Sequence, residues 1–349
     1  MSNVYLMHAY SPNNSGDGLL VNMSLEVIRD LGIDEQVTVV ALDKKSFIPY
    51  LANDNVEVIG VPEFSARFFK LLFSKTKPVF FAVGGGYLRS GNMVESLKAL
   101  IVHGSQLLLL SAFRSSKKIY LPQSIGPLKG PGGAVFKKLL NGVDSLYLRD
   151  DKSVKELQGS RANKKRYPDL VAMSILERVK PETIRPELDG VCLVIRDLPA
   201  NKNRDAYLSR IDALLEQIEG AYLAVQSSGR GNDDASFYRE QWGQDNVPSL
   251  KEVLEKRSPL VVSVRLHGSL ETLAQGVPSI HLAYERKGIA AYGDLGLNNY
   301  VYHVNDIPVD KVVAQVEQIL NDPSVFWDHF ERSPVRQQFL SELEVELND

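Results

Sequence analysis

Short apolar runs alternate with longer amphipathic runs along most of this 349-residue chain, and this alternation constrains the fold more than any other feature. The short runs have the length of strands, whereas the longer runs have helical spacing, so the pattern predicts repeated βαβ units. Parallel strands joined by crossover helices form sheets that are covered on both faces. We therefore predict an α/β fold built on parallel sheets.

The alternation occurs in two series. In the first, we predict strands at residues 4–7, 37–42, 56–61, 79–83, 118–121 and 145–149, and helices near residues 19–31, 66–73, 93–115, 133–141 and 152–157. In the second, we predict strands at 190–196, 222–226, 260–264, 279–282 and 300–303, and helices at 204–217, 250–255, 268–275 and 310–320. Two series of this kind indicate two doubly wound domains.

A charged stretch with two prolines separates the two series and has no apolar period, so we predict an interdomain linker at residues 177–189. The predicted domains are an N-terminal Rossmann-like domain over residues 1–176 and a C-terminal Rossmann-like domain over residues 190–322. A helical segment over residues 323–349 follows. We expect the two domains to face each other across a cleft.

Composition excludes several classes of protein. The formal net charge of −3 provides no overall basic field for nucleic acid or an anionic membrane. The single cysteine, Cys192, cannot form an intrachain disulfide and is predicted to be a buried, inert thiol. No uninterrupted apolar run reaches the roughly 20 residues that span a bilayer, and Leu107 to Leu110 are interpreted as a buried helix face. We therefore expect a cytoplasmic enzyme.

Arg265, Leu266 and His267 lie where a predicted strand passes into a predicted helix. Backbone N–H groups at a helix N-terminus lack intrahelical partners, and the helix dipole favours an anion there. Ligands of open α/β sheets bind beyond the carboxyl ends of the strands. This segment therefore predicts an anion site with a titratable imidazole in it, although His267 could instead only orient the turn.

Small residues follow two strands of the N-terminal domain. Asp17 lies in the turn after the first strand, within Asn14-Ser15-Gly16-Asp17-Gly18, and could bind a ligand or support the start of the helix. Gly84, Gly85 and Gly86 follow the fourth strand, where three glycines favour close approach of a ligand over a simple turn.

Polar side chains follow three further strands at the same predicted edge. Gln123 and Ser124 could bind a sugar or belong to a polar loop, and Arg149 could bind phosphate or carboxylate. Asp169 could face the cleft or cap a helix. In the C-terminal domain, Glu285 and Lys287 could bind ligand or form a mixed-charge surface turn.

Other motifs are missing from the sequence. A phosphate-binding P-loop, a D-x-D triplet and a G-x-S-x-G elbow do not occur, and the six histidines are scattered. We therefore predict neither a metal site nor a bound cofactor.

The ordered set of motifs resembles the polysaccharide pyruvyltransferase family. The resemblance rests on Ser15-Gly16-Asp17, Gly84-Gly85-Gly86, Gln123-Ser124-Ile125-Gly126-Pro127, Arg149-Asp150 with Ser153, Pro168-Asp169, Arg265-Leu266-His267, Gly276-Val277-Pro278 and Tyr284-Glu285-Arg286-Lys287. It implies a GT-B-like fold and transfer of pyruvate from phosphoenolpyruvate, as co-substrate, to a sugar of a bacterial exopolysaccharide or cell-wall glycan. The sugar acceptor is often lipid-linked in this family.

The resemblance also implies roles for the residues. The expected donor-binding residues are Arg149, Arg265, Leu266, His267, Lys287, Gly85 and Gly86, and the expected acceptor-binding residues are Asp17, Gln123, Ser124 and Glu285. His267 is the expected acid/base, and Asp17 or Asp169 the expected acceptor-side base.

Two alternative functions stay open from the sequence. A nucleotide-sugar glycosyltransferase would use the same two-domain frame, with Glu285 recognising the nucleotide. A non-enzymatic carbohydrate binder would present aromatic platforms, and Trp242 and Trp327 lie outside the motifs. Residues 64–73 mix aromatic and basic side chains, so they could contact the inner face of a membrane or form a buried amphipathic helix.

Overall fold

The computed structural model describes residues 3–13, 15–52, 54–75, 77–198, 203–229 and 232–348. The chain divides into two compact units. Unit 1 consists of Met1–Leu170 together with Gln337–Asp349, and unit 2 consists of Val171–Arg336. Each unit is built around its own parallel sheet, as the two series of alternating elements predict.

The strands of unit 1 are β1 (Val4–Ala9), β2 (Val37–Ala41), β3 (Val56–Gly60), β4 (Val79–Ala82), β5 (Leu88–Ser90), β6 (Lys118–Gln123), β7 (Ile125–Leu128), β8 (Ser145–Leu148) and β9 (Lys164–Arg166). In the described part of unit 1, seven of them form a parallel sheet in the order β3-β2-β1-β4-β6-β8-β9, while β5 pairs with β7. The strand order reverses between β1 and β4, which is where doubly wound sheets bind ligands.

The helices that accompany this sheet are α1 (Ser15–Asp30), α2 (Lys44–Tyr50), α3 (Val61–Leu72), α4 (Met93–Ala99), α5 (Ser105–Ser111), α6 (Gly130–Leu140) and α7 (Asp151–Glu156). A π-helical turn, Leu100–Gly104, joins α4 to α5. Asn14, which belongs to the predicted turn before α1, lies outside the described residues.

The continuous helical run Met93–Ser111 is, among the described residues, the one helix whose length and apolar composition would allow it to cross a membrane. Such a helix is weak evidence for a membrane span, and 33% of its most apolar window is buried inside the protein. Leu107 and Leu110 are buried as predicted, whereas Leu108 is 62% exposed. The prediction of a buried face at residues 107–110 is therefore wrong for Leu108.

The strands of unit 2 are β10 (Val191–Val194), β11 (Tyr222–Leu223), β12 (Ser228–Gly229), β13 (Asn232–Asp233), β14 (Leu260–Ser263), β15 (Ser279–Ala283) and β16 (Val301–His303). Within its described residues, five strands form a parallel sheet in the order β11-β10-β14-β15-β16, and β12 pairs with β13. Here the strand order reverses between β10 and β14, so Arg265 follows a strand at the switch point.

The remaining helices are α8 (Leu170–Arg178), α9 (Arg204–Gln217), α10 (Asp234–Trp242), α11 (Leu250–Lys256), α12 (Leu266–Ala274), α13 (Arg286–Asp294), α14 (Val309–Asn321), α15 (Ser324–Trp327) and α16 (Val335–Asn348). Short 3-10 helices occur at Pro181–Thr183, Asn298–Tyr300 and Val304–Asp306. Local sequence explains several helix ends. A capping box of Ser249 and Glu252 starts α11, and Gly243 ends α10 in the left-handed conformation.

The C-terminal helix α16 packs in unit 1 and not beside the helices that precede it. The buried Phe339 side chain contacts the rings of Tyr147 and Tyr167, with centroid distances of 4.9 and 5.0 Å. Glu342 accepts hydrogen bonds from both tyrosine hydroxyls and pairs with Lys165. The predicted helical segment over residues 323–349 is thus divided, because α15 lies in unit 2.

The boundary between the units differs from the predicted one. The sequence predicts a linker over residues 177–189, whereas the units divide between Leu170 and Val171. The stretch 177–189 is charged, but its backbone is still paired with unit 2. The N–H of Arg185 donates to the carbonyl of Gly276 at 2.9 Å. The backbone at Thr183 also packs closely on Gly276, because a Cβ atom on Gly276 would lie only 2.0 Å from the carbonyl oxygen of Thr183.

Candidate functional site

The three glycines after β4 form a turn that lies directly against the next strand. A Cβ atom on Gly84 would lie 2.5 Å from the carbonyl oxygen of Pro122, so no larger residue fits there. The Gly85 carbonyl accepts the N–H of Ser124 at 2.7 Å. Gly84, Gly85 and Gly86 have no positive φ angle, so the turn does not require glycine for that reason. Gly84 is required for close packing against Pro122.

Gln123 is the last residue of β6 and Ser124 follows it, beside this turn, and both side chains are buried. The Ser124 hydroxyl donates to Asp150 at 2.6 Å and accepts from Arg149 Nε at 3.0 Å. Gln123 is 0% exposed, and neither its amide oxygen nor its amide nitrogen has a hydrogen-bond partner within the described residues. A buried polar group of this kind needs a partner to offset its lost hydration.

Arg149 follows β8 and forms a buried ion pair with Asp169, in which the two side chains are 4% and 2% exposed. A Cβ atom on Gly86 would lie 3.9 Å from Arg149 Nη2, so the guanidinium lies beside the glycine turn. Asp150 accepts the N–H of Ser153 and caps α7. Asp169 therefore fixes the Arg149 guanidinium through a bond that the sequence did not predict.

Asp17 lies in the first turn of α1, where a carboxylate interacts favourably with the helix dipole. Its side chain is half-buried. One turn further along α1, Leu20 lies close to the glycine turn, because a Cβ atom on Gly84 would be 3.8 Å from Leu20 Cδ2. Leu20, in the N-terminal half of α1, therefore lies beside the glycine turn at Gly84.

In unit 2, Arg265 lies between β14 and α12, and a fully buried carboxylate holds it in place. Asp234 accepts hydrogen bonds from Arg265 Nε and Nη2, and also from the N–H groups of Gln226 and Ser227 at 3.2 and 3.0 Å. Burial raises the pKa of Asp234, and the neighbouring Arg265 guanidinium opposes this effect. The arginine is thus oriented by a bidentate contact at the carboxyl edge of the sheet.

His267 lies in the first turn of α12, for which Arg265 is the N-cap residue. The predicted passage from strand to helix is therefore present at this segment, and the first N–H groups of α12 lie at the carboxyl edge of the sheet. Gln226, after β11, lies next to this turn, since a Cβ atom on Gly268 would be 2.8 Å from Gln226 Oε1.

Glu285 and Lys287 begin α13, after β15, and pair with each other at 3.0 Å. Tyr284 precedes them and contacts Arg196, whose guanidinium carbon lies 4.6 Å from the ring centroid and whose Nη1 donates to the tyrosine hydroxyl at 2.5 Å. Since Arg196 follows β10, it belongs to the same edge of the sheet as Arg265.

The structure thus brings the predicted residues into two groups, one in each unit. Gly85, Gly86, Gln123, Ser124, Arg149 and Asp169 are close together in unit 1; Arg265, Leu266 and His267 adjoin one another in unit 2, and Glu285 with Lys287 lies one strand further along the sheet.

Sequence reasoning missed Arg196, Asp234 and Gln226. Arg196 shares the signal that identified Arg149 and Arg265, a cation just after a buried strand. Asp234 resembled an ordinary residue at a helix start.

Among the described residues, no group of three or more histidine, cysteine, aspartate or glutamate side chains could hold a metal ion.

A family model described as polysaccharide pyruvyl transferase matches residues 14–286, which is more than half of the chain. The matched range contains Asp17, Arg149, Arg265 and His267, and it ends just before Lys287. No curated protein sequence matches the chain.

Solved structures resemble the whole chain at low sequence identity. The S. aureus MnaA–UDP structure gives a TM-score of 0.55 at 8% identity and covers 99% of this chain and 96% of the other. The structure of TcCGT1 in complex with UDP gives a TM-score of 0.53 at 12% identity and covers 99% and 98%. These similarities concern the fold alone, and the predicted GT-B-like architecture of two Rossmann-like units is confirmed.

Proposed function

The chain belongs to the polysaccharide pyruvyl transferase family, and we propose that it moves pyruvate from phosphoenolpyruvate to a sugar of a bacterial exopolysaccharide or cell-wall glycan, with release of phosphate. The observation that carries this proposal is the family match itself, because its range includes both arginines that follow strands at a sheet edge, Arg149 and Arg265. No bound cofactor takes part in the proposed reaction, and we propose the cytoplasm as its location.

Phosphoenolpyruvate carries a phosphate and a carboxylate on a three-carbon frame, so its site must supply cations and oriented N–H donors. In unit 2, Arg265 and the N-terminus of α12 have this chemistry, with Leu266 contributing backbone. Lys287, in the first turn of α13 after the next strand, adds a cation. In unit 1, Arg149 beside Gly85 and Gly86 forms a second cationic group. We propose that these residues bind the donor.

His267 is the proposed acid/base. It gives a proton to the methylene carbon while one sugar hydroxyl oxygen bonds to the enol carbon, and the proton of that hydroxyl restores the imidazolium. The bond to the phosphate oxygen then breaks, and a second hydroxyl oxygen bonds to the same carbon. The second hydroxyl proton leaves with phosphate, so the two hydroxyl protons end in the new methyl group and in phosphate.

For the acceptor sugar, we propose Asp17, Gln123 and Ser124 in unit 1 and Glu285 in unit 2. The fully buried Gln123 amide supports this choice, because a sugar hydroxyl could both donate to it and accept from it. We assign Asp169 to the positioning of Arg149, since their buried ion pair leaves that carboxylate poorly suited to act as a base.

The test is phosphate release from phosphoenolpyruvate with a panel of galactosides, mannosides and N-acetylhexosamines. His267→Gln should lower kcat by about 100-fold or more while changing the KM for phosphoenolpyruvate little, because general acid–base catalysis contributes on that order. His303→Gln is the matched control, since His303 is exposed at the end of β16. It should retain full activity.

Arg265→Lys keeps a cation beside Asp234 but loses the planar fork, so it should raise the KM for phosphoenolpyruvate. If the wild-type protein released no phosphate with any acceptor of the panel and did not bind phosphoenolpyruvate, the proposal would be refuted. Binding of UDP in the same samples would then favour a nucleotide-sugar glycosyltransferase. Two structures of similar fold contain UDP, and Glu285 begins α13 where a ribose could be recognised.

A further inference from the structure

The net charge of this chain is unevenly distributed, and one segment of unit 1 is strongly basic because it contains almost no acidic residues. Residues 64–143 contain a single acidic residue, Glu95, and twelve basic residues: Arg67, Lys70, Lys75, Lys77, Arg89, Lys98, Arg114, Lys117, Lys118, Lys129, Lys137 and Lys138. The segment therefore carries a formal charge of +11, whereas the whole chain carries −3, so the other residues carry −14. The net charge of the whole chain is low because the acidic remainder offsets this strongly basic segment.

Most of these cations are available to a partner. Three are already paired, Arg67 with Glu57, Arg89 with Glu95, and the buried Lys118 with Asp144. Seven others have exposed side chains: Lys70, Lys75, Lys77, Lys98, Arg114, Lys129 and Lys138.

The same segment exposes large apolar side chains. On the helical run Met93–Ser111, five residues are 60–86% exposed: Met93, Val94, Leu97, Ile101 and Leu108. Their spacing of mainly four and seven residues places them on one face of the helix. On α3 and just after it, Phe69 is 67% exposed and Phe73 is 81% exposed.

The two helical elements are neighbours on one face of the sheet. Phe68 of α3 contacts Phe113, which follows α5, with ring centroids 5.3 Å apart. Both elements and α6 contribute to one core cluster, through Phe64, Leu107 and Phe136. Because their inner sides pack on this common core, their exposed sides form a continuous outer layer of the unit.

We propose that α3 and the helical run Met93–Ser111 dock on the surface of an anionic phospholipid bilayer. Aliphatic and aromatic side chains interleaved with lysines are typical of helices that lie in the membrane interface, where each lysine gains from anionic headgroups. Since Leu107 and Leu110 pack in the core, the run lies along the bilayer and does not cross it. The proposal is independent of the proposed reaction, because vesicle binding needs no substrate.

Charge and side-chain chemistry disfavour other partners. A second copy of this face would bring two strongly positive surfaces together, and like-charge repulsion opposes that contact. Single-stranded nucleic acid is bound by base stacking on aromatic side chains along a basic groove. Phe69 and Phe73 have rings that can stack, but the larger exposed set on Met93–Ser111 is aliphatic, which suits acyl chains and not bases.

The test is flotation of the full chain with vesicles of phosphatidylcholine alone and with vesicles that also contain phosphatidylglycerol. We expect binding only to the anionic vesicles, with an affinity that falls as salt rises. Leu97→Glu with Ile101→Glu should abolish binding. Each of Lys70→Ala, Lys75→Ala and Lys77→Ala should weaken it about fivefold.

Matched controls exist elsewhere in the chain. Val345→Glu changes a residue that is 60% exposed on α16. That helix packs on Tyr147, whose side chain points to the sheet face opposite Leu146 and Leu148 of the core cluster. Lys256→Ala removes an exposed lysine of unit 2. Both variants should bind vesicles like the wild type, and all variants should keep the thermal unfolding temperature.

Three results would overturn the proposal. One is absence of binding to anionic vesicles at low salt; another is binding that Leu97→Glu with Ile101→Glu leaves unchanged. The third is a dimer in solution, without vesicle binding, that the same double variant dissociates; a second copy would then cover this face.

Discussion

The effects of substituting Asp234 and Arg265 on the free energy of unfolding should be strongly coupled, because the two side chains form a buried ion pair. The two single substitutions leave different groups without a partner. Arg265→Met leaves a carboxylate that is 0% exposed without its cation. Asp234→Asn leaves the guanidinium facing an amide but keeps one oxygen for the N–H groups of Gln226 and Ser227, which both bond the same carboxylate oxygen. The double variant removes both charges and retains those two backbone bonds.

The burial of both side chains indicates how much free energy of unfolding each variant should lose. Removing one member of a buried pair costs about 3–5 kcal/mol, whereas replacing both charges costs far less. We therefore expect each single variant to lose about 3 kcal/mol and the double variant to lose about 1 kcal/mol, which gives a coupling of about 5 kcal/mol. With a urea dependence of about 2 kcal/mol per molar, each single loss lowers the midpoint by about 1.5 M.

The loss in Arg265→Met should also depend on pH. Burial already raises the pKa of Asp234, and removal of the guanidinium that opposes it raises this pKa further. A carboxyl whose folded pKa exceeds its unfolded pKa stabilises the fold below the unfolded value, and this contribution disappears as pH rises through the folded pKa. Arg265→Met should therefore be less destabilised at pH 5 than at pH 8.

Tryptophan fluorescence during urea unfolding measures these effects, because both tryptophans lie in unit 2. Trp242 ends α10, the helix that begins with Asp234, and its ring contacts Phe237 and Tyr238. If the double variant lost as much as the two single variants together, the pair would not be coupled and the reasoning would fail. Equal losses for Arg265→Met at both pH values would refute the electrostatic part.

Three further predictions follow from buried groups. Gln123→Leu should stabilise unit 1 by about 1–2 kcal/mol and slow hydrogen exchange in β6, because it removes two buried polar atoms that have no hydrogen-bond partner among the described residues; faster exchange would contradict this. Gly288→Ala should lower the unfolding temperature strongly, since its Cβ would lie 2.2 Å from His281 Nε2, whereas the exposed Gly142→Ala should have little effect. Burial lowers the pKa of both His103 and His281 to about 4, so these residues take up protons on unfolding. Stability should therefore fall as pH drops from about 6.5 to 4, and a urea midpoint that stays constant over this range would contradict the argument.

The sequence predicted those parts of the structure that depend on local periodicity and chain order. Alternating runs were sufficient for two parallel α/β sheets, and the residues after each strand, such as Arg149 and Arg265, do lie at the carboxyl edges. Spacing alone cannot show which carboxylate reaches which arginine across 20 or 31 residues. For this reason Asp169 was interpreted as a base or a cap, and Asp234 was missed.

Apolar composition also left the burial of individual helix faces undetermined. The run Met93–Ser111 has enough leucines for a core helix, yet the sheet covers only one side of it. Leu107 and Leu108 differ by one position, and about 100° of helical rotation separates a buried side chain from an exposed one. The sequence also could not predict that α16 packs in unit 1, because an amphipathic helix does not specify which sheet it covers.

The placement of α16 has a consequence for how the chain is made and divided. Unit 1 needs residues 337–348, which are synthesised only after the whole of unit 2. During translation, the rings of Tyr147 and Tyr167 therefore lack their contact with Phe339 until the end of the chain has been synthesised. A single cut between Leu170 and Val171 therefore cannot yield an intact first unit, and an isolated version would need residues 1–170 fused to α16.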